Sequence, residues 1–301
     1  MKVSVCTLAH GRAGHLANLV EGLCSATRPP DELVIAVMQP QAYTLPDAPF
    51  NVRQIVLGGK DMPLAKARNT AARAANGELL VFLDVDCIPA PGLIEDYVTA
   101  ARSLDGVMMG EVAYLPRGGT DAGLDYTRFE RQGVRHSERP GPPENGPWRE
   151  CEDYRCFWSL NFAMTAMAFA AVGGFDERFV GYGGEDTDFG RMVASQGHKL
   201  HWLSGAKAYH QYHPHHMPPV HHLDSVLANA MIFGDKWGEP TMQHWLRAFV
   251  LMGLLERDGD GWRKLREPDE RDLALTRQQA DQPYASSALV LEWLEENAKA
   301  A

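Results

Sequence analysis

No run of lysine and arginine occurs in the 301 residues, and the formal net charge is −10. A nucleic-acid partner is excluded on that ground, because a phosphate-tracking surface needs clustered cations. Any anionic ligand has to be met locally, by a metal or a few placed donors. Long apolar runs are also missing. The longest, around Ala163 to Val172, falls short of the roughly 20 helical residues that cross a bilayer, so no membrane span is expected. The opening residues Met1 to Cys6 read as a buried strand and not as a charged segment leading into a long apolar one, and a cytoplasmic location is expected. Cysteine is scarce. Cys6, Cys24, Cys87, Cys151 and Cys156 are odd in number and lack zinc-type spacing, which argues against a disulfide framework. Cys151 and Cys156 read as free thiols flanking a loop. Repeats and low-complexity tracts are absent.

What is present is a 45% apolar composition, enough for one large α/β domain with a small appendage. Val3 to Leu8 reads as a buried strand, Leu16 to Ala26 as an amphipathic helix, and Glu32 to Val37 and Val52 to Leu57 as two more strands. Asp61 is expected to cap the next helix, with Pro63 in its first turn, Ala71 and Ala72 on its small-residue face, and an end at Asn76 and Gly77. Leu79 to Leu83 is a continuous apolar strand, the kind buried on both faces. This alternation predicts a Rossmann-like, mostly parallel sheet whose ligand sits off the carboxyl ends of the strands, where Asp84 stands. Arg117 to Glu150 has no sustained periodicity and reads as a long mobile loop beside the reaction site. After Pro219 the pattern is helical again, and residues 219–301 are read as a helical extension of a domain covering 1–218.

Asp84 and Asp86 follow the apolar strand directly. In an extended segment residues two apart share a side, so both carboxylates are expected to face one site. Hard oxygen ligands there suit Mg²⁺ or Mn²⁺ held jointly with nucleotide phosphates. A second acidic group, Glu185, Asp186 and Asp188, opens a helix that continues through Phe189, Met192 and Val193. Gly183 and Gly184 before it allow a tight turn and close approach to a ligand. Acids in a first helical turn are favoured by the dipole whatever their use, by about 0.3–1 kcal/mol. Histidines cluster from His210 to His222, but Pro214, Pro218 and Pro219 break any regular ligand face.

Two runs carry a resemblance. Ala67-Arg68-Asn69, followed by Asn76 through Pro89 with its Asp84-Val85-Asp86, resembles the donor-binding half of family 2 glycosyltransferases. Gly173 through Asp188, with Gly181-Tyr182-Gly183-Gly184-Glu185-Asp186, resembles the acceptor-side motif of β1,4-galactosyltransferases and bacterial chondroitin-type polymerases. The resemblance covers roughly residues 1–215. It implies a GT-A fold: a donor half of about 1–112, a long loop of about 113–156 and an acceptor-side half of about 157–218. The implied activity is metal-dependent, inverting transfer of a sugar from a UDP-sugar to a carbohydrate or other acceptor hydroxyl, giving a β-glycosidic bond. Asp186 is then the general base, and Glu185, Tyr182 and Trp158 face the acceptor. Asp84, Arg68, Arg12, His10, Asp61, Gly183 and Gly184 attend the donor, and Asp86 with His210 holds Mn²⁺ or Mg²⁺, His213 being the runner-up.

The chain departs from the family pattern where an acidic base-reading residue often follows the second strand. Here Met38, Gln39 and Pro40 follow Val37, which leaves the nucleobase open. Two other readings stand beside the inverting transferase: a retaining enzyme on the same fold, against which Asp186 argues, and a non-catalytic nucleotide-sugar or metal-binding protein. A nucleotidyltransferase would carry a Gly-rich, Lys-containing loop after its first strand, and none occurs.

Overall fold

The computed structural model describes residues 1–58, 61–259 and 261–300. It divides into two compact units, Met1–Glu177 with Glu185–Tyr212, and Arg178–Gly184 with the chain from His213 onward.

The first unit begins with β1 (Val3–Ala9), α1 (Ala13–Cys24), β2 (Glu32–Val37), β3 (Asn51–Val56), α2 (Leu64–Ala74) and β4 (Leu79–Leu83). Strands β1, β2 and β4 are buried along their whole length, as uninterrupted apolar runs require. They pair in parallel, β2 with β1 and β3, and β1 with β4. The crossovers bury one helical stripe each, Leu16, Leu19, Val20 and Leu23 on α1 and Ala65, Ala67, Ala71 and Ala72 on α2. The expected Rossmann-like half is therefore present.

Then follow β5 (Cys87–Pro89), α3 (Leu93–Ala100), β6 (Val107–Met109), β7 (Val112–Tyr114), α4 (Tyr126–Gln132), β8 (Trp148–Cys151), β9 (Asn161–Thr165), α5 (Ala166–Val172), α6 (Glu185–Ser195), β10 (Leu200–Leu203) and β11 (Ala208–His210). The main sheet has the order β3-β2-β1-β4-β9-β6-β10-β8, and β5-β11-β7 form a small second sheet. Strand β9 runs antiparallel to both β4 and β6, which brings the chain back across the sheet at Asp84. The small sheet sets His210 on β11 in register with Cys87 and Tyr114.

Three local expectations are corrected. The N-cap of α2 is Pro63, with no side-chain cap bond, and Asp61 is exposed. A capping side chain bonds amides two or three residues on, but two on from Asp61 is Pro63, which has no N–H, and three on is Leu64, whose amide donates to Met62 O at 3.0 Å. The helix stops at Ala74 because the next amides are used elsewhere: Asn76 N–H donates to Glu32 Oε1 at 2.5 Å and Gly77 N–H to Ser4 Oγ at 2.8 Å. The segment expected to be a structureless loop contains α4 and β8. Asp125 caps α4 through the Arg128 amide, and Phe129 is fully buried against Ile88, Leu115 and Tyr209. A single apolar anchor on a seven-residue helix is too little for periodicity to register.

The second unit contains α7 (Leu223–Trp237), α8 (Gln243–Leu251), β12 (Leu255–Asp258), β13 (Gly261–Lys264), α9 (Glu270–Thr276) and α10 (Ser287–Ala300). Its core gathers Val220, Leu223, Val226, Leu246, Phe249 and Leu254. The segment read from sequence as helical also carries the antiparallel pair β12–β13. Among the described residues no helix is long and apolar enough to cross a membrane.

Candidate active site

Asp84 and Asp86 do not lie in an extended segment. The Cys87 amide donates to the Asp84 carbonyl at 2.9 Å, closing a four-residue turn between β4 and β5, while the Asp84 amide donates to Leu160 O at 3.0 Å. The two carboxylates are still close enough for Asp86 to raise the pKa of Asp84, so the turn delivers by a different geometry what strand alternation led us to expect. Asp84 accepts from Arg68 Nη2 at 3.1 Å. Asp86, 5% exposed, is ion-paired through Oδ2 with Arg12, and its Oδ1 lies 3.5 Å from His210 Nε2. Arg12 reaches it from the left-handed N-cap position of α1, with φ of 49°.

The helix α6 supplies the second acidic group, with Glu185, Asp186 and Asp188 in its first turn. Arg68, 4% exposed, spans the two groups. Its Nη1 is 3.4 Å from Glu185 Oε1 and 3.9 Å from Asp186 Oδ1. Burial is the largest influence on both Asp84 and Glu185 and pushes their pKa values up, and neighbouring carboxylates add to it against the lowering by Arg68. One guanidinium cannot neutralise three carboxylates in a desolvated site.

Asp186 is positioned from outside its own helix. Its Oδ2 accepts from the Ser159 amide at 3.0 Å, whereas Oδ1 is buried and has no hydrogen-bond partner among the described residues. The segment carrying Ser159 packs tightly on α6: a Cβ at Gly190 would come within 2.6 Å of Tyr154 O. Tyr114 stacks on His210 at a ring separation of 4.6 Å, and Trp158 receives the edge of His136 at 5.1 Å. Asn69 clamps the glycine-rich approach to the motif. Its Nδ2 donates to Phe175 O and its Oδ1 accepts from Phe175 N–H, both at 2.8 Å. Residue spacing carries no signal for Ser159 or Tyr114, because each acts from a segment remote from the acids, one of them through its backbone.

Within the first unit, then, Arg12, Arg68, Asp84, Asp86, His210, Glu185 and Asp186 come together through the bonds just described. His10 is exposed just past β1, and Asp61 is exposed before α2. Tyr182, Gly183 and Gly184 belong to the second unit, and His213 opens that unit's long segment. There Tyr182 stacks on His222 at 5.0 Å and on Trp245 at 5.8 Å. Gly183 has φ of +90°, and a Cβ on it would meet Met242 Sδ at 2.8 Å, so a close contact inside its own unit already requires glycine.

Comparison with known proteins fits this geometry. Residues 4–139 match the family described as Glycosyl transferase family 2, and residues 145–216 match the N-terminal domain of galactosyltransferase. The chain is 30% identical over 158 residues to a validoxylamine A glucosyltransferase of Streptomyces hygroscopicus subsp. jinggangensis (strain 5008), covering 44% of this chain and 36% of that protein. It is 27% identical over 187 residues to chondroitin synthase of Escherichia coli, covering 55% and 27%. The O-antigen biosynthesis protein RfbC of Myxococcus xanthus is 27% identical over 247 residues, covering 78% and 18%. The chain thus spans about a third or less of the length of these relatives. Among solved structures, GalNAc-T7 with UDP, GalNAc and Mn²⁺ superposes with a TM-score of 0.52 at 16% identity, over 70% of this chain and 43% of that one. Residues 1–349 of S. aureus TarS give 0.50 at 14%, over 82% and 69%. Residues 4–139 thus resemble the family 2 glycosyltransferases and residues 145–216 the galactosyltransferases, and the chain has the GT-A fold.

Proposed function

We propose that the chain is a metal-dependent inverting glycosyltransferase that moves a sugar from a nucleoside-diphosphate donor, with UDP as the base-bearing carrier, to an acceptor hydroxyl. The observation that carries this reading is the meeting of two acidic groups from distant parts of the chain on one buried arginine, Arg68. Four carboxylates, Asp84, Asp86, Glu185 and Asp186, gather around the guanidiniums of Arg12 and Arg68. That excess of negative charge suits a divalent cation.

The donor set agrees. Two ligands at right angles on a cation with bonds of about 2.1 Å stand about 3 Å apart, close to the 3.5 Å between Asp86 Oδ1 and His210 Nε2. A mixed carboxylate and imidazole pair suits Mn²⁺ better than Mg²⁺, which favours all-oxygen shells. Arg12 on Asp86 Oδ2 and Tyr114 on the His210 ring fix the two side chains from behind. When bound, the ion would neutralise charge on the departing diphosphate.

The chain's own residues do the rest. Asp186 is held by the Ser159 amide through one oxygen, which leaves Oδ1 to accept the proton of the attacking hydroxyl. The hydroxyl becomes acidic as it bonds to the anomeric carbon, and Arg68, fixed by Asp84 and Glu185, stands beside the acids. A single displacement on an α-linked donor gives a β-linked product. Glu185, with Trp158 offering a ring face, orients the acceptor. The names of two neighbours support the donor class: GalNAc-T7 was solved with UDP and Mn²⁺, and TarS with UDP-GlcNAc. A thermal-shift screen of nucleotide sugars with and without Mn²⁺ tests the reading, since a ligand that binds only the folded state raises the midpoint by mass action. A midpoint raised by a UDP-sugar only when Mn²⁺ is present supports it; no response to any nucleotide sugar overturns it.

A further inference from the structure

Arg139 lies between α4 and β8 in the first unit, and its guanidinium is held between two indoles, 4.8 Å from the ring of Trp202 and 5.7 Å from that of Trp158. Its Nε and Nη2 are buried and donate to nothing among the described residues. Arg68, the comparably buried guanidinium of the site, is bonded to carboxylates, whereas Arg139 forms no ion pair among the described residues. Burial lowers its pKa, and the groups that oppose this are Tyr114, Tyr97, Cys87 and Asp186, acting through space. Arginine does not escape such a cost by losing its proton, so it remains a desolvated cation. Stacking on tryptophan faces offsets part of that cost, but it satisfies no N–H donor.

The two orphaned donors are also the right two. Nε–H and Nη2–H point the same way from one edge of the guanidinium and form the fork that takes two oxygens of one carboxylate or phosphate. A small cavity beside Arg139 is lined by Gly110, Glu111, Arg135, His136, Gly141 and Trp202. Glu111 does not fill the vacancy, because Arg135 engages it at 2.8 Å and the Gly205 amide at 3.1 Å. From Arg139 a series of ring contacts runs through Trp158, His136 and Tyr114 to His210.

We propose that Arg139 is an anion receptor whose fork takes an oxyanion of a bound substrate, a phosphate or a carboxylate. This deepens the transferase reading and rests on it for the word substrate, but binding of the anion itself does not depend on transfer. The oxyanion has two sources, the diphosphate of the nucleotide donor or the carboxylate of an acidic sugar acceptor.

Calorimetric titration of the full chain tests this with inorganic pyrophosphate, with and without Mn²⁺, and with glucuronate. The variants are Arg139→Met, which keeps the length of the stem, and Arg139→Lys, which keeps the charge but not the fork. The expected result is that one probe binds the wild type and loses at least tenfold in affinity in both variants, while the unliganded thermal midpoint of Arg139→Met does not fall. Loss on pyrophosphate assigns the anion to the donor, and loss on glucuronate assigns it to the acceptor. Unchanged affinity for both probes overturns the proposal. So does a steep fall in the midpoint of Arg139→Met, which would make the residue a structural cation. Wild-type affinity for both probes in Arg139→Lys contradicts the fork by itself. Mn²⁺-dependent binding of nucleotide that is lost in Asp86→Ala but untouched in both Arg139 variants, together with unchanged glucuronate affinity, would overturn this inference and leave the transferase reading standing.

Discussion

Arg68 and Glu185, 117 residues apart in the chain, meet 3.4 Å apart in the interior. The contact joins the Ala67-Arg68-Asn69 segment to the start of α6. Burial still dominates, and it pushes Glu185 up to about 7, with Asp186 adding to the rise and Arg68 opposing it. A carboxyl whose pKa is higher in the folded than in the unfolded state binds its proton more tightly when folded. It therefore contributes stability that is complete below about 4.5, its ordinary value, and that is lost as pH rises through about 7. The thermal midpoint of wild type should fall between those pH values relative to Glu185→Gln, in which the group cannot ionise. Parallel pH profiles for the two proteins would contradict the assignment.

Metal affinity should separate the histidines. With Asp86 and His210 as the protein ligands, Asp86→Ala should abolish the Mn²⁺-dependent rise in midpoint with nucleotide, and His210→Ala should weaken Mn²⁺ at least tenfold. His215→Ala and His222→Ala should leave it unchanged. Equal losses from all three histidine variants, measured by Mn²⁺ titration, would show that the cluster binds diffusely.

Asn69 closes two 2.8 Å bonds on the backbone of Phe175 and holds the Gly173–Glu177 segment to α2. Asn69→Ala leaves a buried N–H and a buried C=O without partners, at a cost of about 2–4 kcal/mol. Urea unfolding should show the midpoint lowered accordingly with an unchanged slope. A variant as stable as wild type would mean that the clamp is incidental.

The parallel half of the sheet was legible in the sequence because β1, β2 and β4 are buried on both faces, so their residues had to be uniformly apolar. The acidic pairs were legible because Asp84 and Asp86 follow such a strand and Glu185 and Asp186 open a helix behind two glycines. The cap of α2 was not, since Asp61 satisfied the rule for a cap without standing where the helix begins. Helix α4 and strand β8 were hidden for another reason: β8 is an edge strand exposed over Trp148–Glu150, and α4 buries only Phe129, so neither leaves a periodic apolar pattern. The groups that position Asp186 and His210, the Ser159 amide and the Tyr114 ring, act through long-range packing that no spacing encodes. Asn69 stood inside a recognised run, yet its bonds to Phe175 span 106 residues.

The central claim is that Asp186 removes a proton during transfer, and not that it merely holds ligand. The measurement that tests it most directly is the Mn²⁺-dependent release of nucleoside diphosphate from the donor identified by the thermal-shift screen, in wild type and in Asp186→Asn. Asn keeps the shape of the side chain, and its oxygen can still accept from the Ser159 amide, but it cannot take a proton. The account predicts release by wild type, a loss of at least a hundredfold in Asp186→Asn, as expected for removal of a general base, and donor affinity within about threefold of wild type. Release at the wild-type rate in Asp186→Asn, or none from wild type that binds donor and Mn²⁺ normally, would contradict it.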